Sequence, residues 1–125
     1  MLSTSQLIGF AATADSQKAR DFYEKALGLA FVSEDRFALV LQLKGTTLRI
    51  QKVESINPHP YTMLGWSVQD IEKEVRELVT RGVRFARYEG MNQDEMGIWR
   101  APSGAKVAWF PDPDGNILSL TEYKQ

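Results

Sequence analysis

ARDFYEKALGLAF, residues 19–31, carries an amphipathic helix, its stop signal and the start of a strand. Ala19, Phe22, Tyr23, Ala26 and Leu27 recur at helical spacings, while Arg20, Asp21, Glu24 and Lys25 occupy the other faces. Ahead of them, Thr13-Ala14-Asp15-Ser16 offers side chains for an N-cap, and Gly28 stands where a left-handed C-cap ends a helix. A related stretch, VRELVTRGVRF, occupies residues 75–85. Ala19, Phe22 and Tyr23 correspond to Val75, Leu78 and Val79, 56 positions on, whereas Gly28 and Phe31 correspond to Gly82 and Phe85, 54 positions on. Such self-similarity marks two copies of one structural unit, the second with a helix about half a turn shorter.

Short apolar runs flank each helix. Residues 7–12, 29–32, 37–43 and 47–53 read as strands of the first half, and residues 63–68, 83–88, 106–110 and 117–120 as strands of the second. Asp70 is placed to cap the second helix, and Asp112-Pro113-Asp114-Gly115 reads as a tight turn. The prolines of Asn57-Pro58-His59-Pro60 mark an extended linker. One domain over residues 1–125 is therefore expected, with module 1 at 1–56, a linker at 57–60 and module 2 at 61–125. Its class is α+β, two tandem βαβββ modules whose helices pack outside curved mixed sheets. Residues 89–96 are polar and aperiodic and read as a long loop, a lid or a plain connection.

Composition removes several functions. The 125 residues are 43% hydrophobic and 25% charged, as in ordinary globular domains. Fifteen basic against sixteen acidic residues give a formal charge of −1, too balanced for a nucleic-acid or anionic-membrane binder. No apolar run spans a bilayer and no basic region precedes an apolar stretch in residues 1–10, so a cytoplasmic protein is expected. The absence of cysteine excludes disulfides, thiolate nucleophiles and CxxC zinc sites. Serines without a histidine in any strand or helix make a hydrolytic triad untenable, and no glycine pattern cradles a nucleotide. No cofactor is expected.

The doubled βαβββ pattern, Asp21-Phe22-Tyr23 followed by Leu27-Gly28-Leu29, and the closing Phe110-Pro111-Asp112-Pro113-Asp114-Gly115-Asn116 resemble the vicinal oxygen chelate superfamily of glyoxalases, bleomycin resistance proteins and dioxygenases. The resemblance covers nearly the whole chain. It implies a cleft enclosed by paired half-barrels, a homodimer, and metal ligands drawn from the strands, usually two histidines and one or two glutamates. Counted from those motifs, the ligand positions fall on Ile8, Met63 and Ser119, with the fourth on Arg49 or, in a shifted register, Gln51. None is a good ligand for a divalent ion, and an arginine repels one. The sole histidine, His59, lies in the linker. Metal-dependent isomerisation or dioxygenation is therefore not expected.

What remains is a metal-independent protein that binds a small organic ligand in an interior cleft, as in drug sequestration, lined by Ile8, Phe10, Arg49, Gln51, Met63, Trp109 and Ser119. Strand alternation puts Met63, Gly65 and Ser67 on the cleft face and Trp66 against a helix. Glu34, Asp35, Asp94 and Glu95 are candidates for an acidic rim. The competing expectation is a glyoxalase-related lyase or other enzyme with Arg49 as its catalytic electrophile, assisted by Gln51, Ser119 or a loop carboxylate from Asp94 or Glu95.

Overall fold

Two aspartates start the two helices. In the computed structural model, which describes residues 1–125, Asp15 is the N-cap of α1 (Ser16–Arg20), its Oδ1 accepting from Lys18 N at 3.2 Å. Asp70 caps α2 (Ile71–Thr80) in the same way, accepting from Lys73 N at 3.1 Å. These caps are 55 positions apart, but the stop glycines Gly28 and Gly82, with φ of 77° and 92°, are 54 apart. The first helix must therefore hold one residue more. It does so by continuing as a π-helical segment, Asp21–Ala26, closed by Leu27 N donating to Phe22 O at 2.9 Å, where the spacing predicts a uniform α-helix. A π turn is the usual way to fit one extra residue into a helical run without turning the later side chains off their face.

Strands β1 (Ile8–Thr13), β2 (Ala30–Glu34), β3 (Ala38–Leu43) and β4 (Thr46–Lys52) form a sheet in the order β1-β4-β3-β2, with β1 and β4 parallel and the other neighbours antiparallel. β5 (Thr62–Ser67), β6 (Trp99–Arg100), β7 (Lys106–Pro111) and β8 (Ile117–Glu122) repeat it as β5-β8-β7-β6, with β5 and β8 parallel. The fold is α+β, two βαβββ units with mixed sheets, and neither sheet closes into a barrel. The compact units are Met1–Asn57 and Pro58–Gln125. No helix is long and apolar enough to cross a membrane.

Each sheet has one face under its helix. In the first unit Ala11, Leu39, Leu41, Leu48 and Ile50 are buried together with Ala19 and Tyr23 of the helix, and the Arg20 guanidinium lies 3.6 Å from the centre of the Phe31 ring. In the second, Ala108, Phe110, Leu118 and Leu120 are buried with Ile71, Val75 and Leu78. Phe110 lies 6.5 Å from Trp66 and 5.2 Å from Phe85, ring centre to ring centre, so Trp66 is on the helix side as alternation predicts.

The strand predicted at residues 83–88 does not form. Val83 is buried and its N–H is held by Leu78 O, Tyr88 N donates to the Gln93 side chain, and only Ala86 N reaches β7, at Trp109 O. The donors at both ends of the segment are thus engaged locally, and β6 pairs with β7 instead. The loop at residues 89–96 is correspondingly tied down. Gln93 Nε2 donates to Ala86 O at 3.0 Å and Gly97 O at 2.8 Å, while Asp94 Oδ1 accepts from Met96 N and Ile98 N, both at 2.9 Å.

Candidate functional site

Alternation that buries Ala11 and Thr13 turns Ile8 and Phe10 to the face without a helix, where both are 48% exposed. Register sets Ile8 beside Thr47, Phe10 beside Arg49, and Gln51 between Ala12 and Ala38. Ile8, Phe10, Arg49 and Gln51 thus share one uncovered face of the first sheet. The half-buried Arg49 guanidinium has no carboxylate within 4.0 Å.

Three of the four carboxylates expected at an acidic rim have local roles. Glu34 pairs with Lys52 at 2.6 Å, and Asp35 Oδ1 accepts from Phe37 N at 2.8 Å and Ala38 N at 2.9 Å. Those two backbone donors, with a smaller contribution from Arg49 and Lys52, hold the Asp35 carboxyl below its ordinary 3.8. A depressed carboxyl pKa stabilises the fold above the unfolded value and loses that contribution as pH falls through the folded one. Asp35→Ala should therefore lower the melting temperature at pH 7, by an amount that shrinks as the pH falls below the ordinary carboxyl value; an equal loss at every pH would contradict this role. Asp94 likewise serves its own turn.

In the second unit, Gly65, Ser119 and Trp109 form one row across β5, β8 and β7. Met63 does not belong to it. β5 slips register between Thr62 and Leu64, so Met63 sits at a bulge without a ladder partner, and strict alternation back from Gly65 fails there. Gly65 is required by closeness, since a Cβ at that position would come within 2.7 Å of Ser119 Oγ. Gly65→Ala should cost about 1 kcal/mol, and Ser119→Ala in the same chain should recover most of it. Additive losses in denaturant titrations would show that the two positions do not share this space.

Around Trp109 the row widens into an aromatic surface made by three of the rings that crowd the strand segments of the sequence. The Trp99 ring lies 6.1 Å from that of Trp109, and Tyr88 meets Trp109 edge-on at 5.6 Å. Trp109 and Trp99 are half-buried, and Tyr88 is exposed at its border. The β6–β7 pairing puts Trp99 opposite Val107, which fixes the face on which its ring meets Trp109.

The donors for a divalent ion are wrong throughout. No three His, Cys, Asp or Glu side chains gather anywhere in the chain. His59 is exposed and stacks on Tyr61 at 5.0 Å. Asp112, buried in the final turn, accepts from Asp114 N and Asn116 N, both at 2.9 Å, and from Asn116 Nδ2 at 2.8 Å, which is a turn's chemistry.

A doubled βαβββ topology with these motifs can be compared with known proteins. The model of the glyoxalase/bleomycin resistance protein/dioxygenase superfamily matches residues 8–120. The chain belongs to this superfamily. A superfamily member from Sphaerobacter thermophilus DSM 20745 superposes with a TM-score of 0.75 at 24% identity, over 98% of this chain and 99% of that one. TnmS3, an antibiotic binding protein from Streptomyces sp. CB03234, gives 0.74 at 22%, over 99% of each chain. A bleomycin resistance determinant encoded on the transposon Tn5 gives 0.73 at 20%, over 98% and 100%. At these identities the likeness shows a shared fold. No curated protein matches the sequence. The superfamily's customary metal does not fit the residues present, because Ile8, Arg49, Gln51, Met63 and Ser119 offer neither an imidazole nor a carboxylate. Purified protein should carry no stoichiometric nickel, zinc, iron or manganese there. Elemental analysis finding about one ion per chain, lost on changing one of these residues, would overturn this reading.

Proposed function

We propose that this superfamily member binds a flat organic molecule on the uncovered face of its second sheet and releases it unchanged. The observation that carries the reading is the cluster of Trp99, Trp109 and Tyr88, whose rings lie within about 6 Å of a common centre at Trp109. Half-buried aromatic rings offer apolar area at low entropic cost and accept a second ring in offset or edge-on geometry. Ser119, beside Trp109 in the ladder, supplies a hydroxyl that has no hydrogen-bond partner in the chain. The antibiotic-binding and bleomycin-resistance proteins that share the fold support sequestration of a drug-like ligand. A strongly cationic drug fits less well, since Glu34, Asp35 and Asp94 serve local pairs and turns.

One observation favours a second reading. Arg49 is half-buried beside Phe10 with no carboxylate within 4.0 Å, although its charge still acts on Asp35, so its donors are open to developing negative charge. A thermal-shift screen of aromatic compounds, metabolites and antibiotics, followed by mass spectrometry of each hit after incubation, separates the two. Recovery of the hit unchanged supports binding. Conversion to product that Arg49→Ala slows by about a hundredfold or more, with ligand affinity little changed, would establish the enzyme instead.

A further inference from the structure

On the helix side of the second unit, away from the row of Trp109, the C-terminal half of α2 and residues 83–97 enclose a groove of about 650 Å³. Its apolar lining is Val75, Val79, Val83, Phe85 and Met96, of which Val79 is 53% exposed although it follows the helix's buried stripe. Arg76, Arg84 and Arg87 stand around it with a single acid, Glu95. Three guanidiniums in one small groove are unexpected in a chain whose formal charge is −1.

These cations are largely unspoken for. Neither Arg76 nor Arg84 has a carboxylate within 4.0 Å, and Arg87 donates through Nη2 to the backbone oxygen of Glu95, not to its carboxylate. Neighbouring arginines show the alternative, since Arg81 pairs with Glu77 at 3.5 Å. The carbonyls that end α2 do not occupy the guanidiniums either, because Leu78 O accepts from Arg81 N and Val83 N, and Val79 O from Gly82 N. The far wall is preformed, pinned by Gln93 Nε2 on Ala86 O and Gly97 O and by Asp94 Oδ1 on Met96 N and Ile98 N. A preordered apolar trough with unpaired guanidiniums at its edge suits a ligand with an apolar body and one oxyanion, because guanidinium meets a carboxylate through two parallel hydrogen bonds.

We propose that this groove is a second binding site, for an amphiphilic carboxylate. It is separate from the aromatic face, so each can fail without the other. The test is calorimetric titration of the full chain with decanoate, decan-1-ol and decyltrimethylammonium at low and high salt. Decanoate should bind about tenfold more tightly than decanol, decyltrimethylammonium more weakly still, and the preference should shrink with added salt. Arg76→Gln with Arg84→Gln, both at exposed positions, should bring decanoate down to the affinity of decanol and leave decanol unchanged, whereas Trp109→Ala should leave decanoate binding intact. Equal binding of decanoate and decanol would reduce the groove to an apolar surface and overturn the proposal. So would decanoate binding that survives the double arginine variant or is lost in Trp109→Ala, and so would no binding of decanoate at all.

Discussion

Trp109→Ala is expected to weaken the tightest aromatic ligand from such a screen by about 2 kcal/mol, roughly thirtyfold, while the protein stays folded. The ring is the member of the cluster that meets both Trp99 and Tyr88, so its removal takes away the shared wall and not one contact among many. Because the indole is only half-buried, the fold itself should lose on the order of 1 kcal/mol. Trp109→Phe keeps a ring in place and should recover most of the affinity. Fluorescence titration of the three variants checks this, and unchanged affinity in Trp109→Ala would move the ligand elsewhere on the molecule.

The adjacent residue should behave in the opposite way. Phe110 points to the other side of the same strand, is 1% exposed and touches both Trp66 and Phe85 in the core under α2. Phe110→Ala leaves a ring-sized void among side chains that cannot all collapse into it, a loss of about 3–5 kcal/mol. For a chain of this length that is a large share of the total stability, and the melting temperature should fall by roughly 10 °C or more. Phe110→Leu, which keeps most of the volume, should cost only about 1–1.5 kcal/mol. Calorimetry reads both. If Phe110→Ala melted like the parent while losing ligand affinity, the assignment of the two faces would be reversed.

The contrast between Trp109 and Phe110 also shows how far one sequence reaches. Helical spacing around Ala19 and Tyr23, the caps at Asp15 and Asp70, the stop glycines and the turn at Asp112 were all legible, because each depends on residues within one or two turns of chain. From these followed the two βαβββ units, from strand alternation the outward face of Ile8 and Phe10, and from the family motifs the positions Arg49, Gln51 and Ser119 on the same faces. The single histidine and the absence of cysteine were matters of composition alone.

What the tertiary structure decided were the features that depend on which chain segment reaches a partner first. The π turn at Asp21–Ala26 and the bulge that removes Met63 from its row each shift a count by one residue, and nothing in the local sequence marks where that residue is absorbed. Whether residues 83–88 or Trp99–Arg100 would lie along β7 was a competition for the same backbone donors and acceptors. It was settled by hydrogen bonds to Leu78 O and the Gln93 side chain, from elements close in space that no periodicity connects. That outcome brings Trp99 to Trp109 and opens the arginine-edged groove beside α2, so both proposed sites depend on backbone pairing that periodicity does not reveal, acting on residues whose individual chemistry was plain from the start.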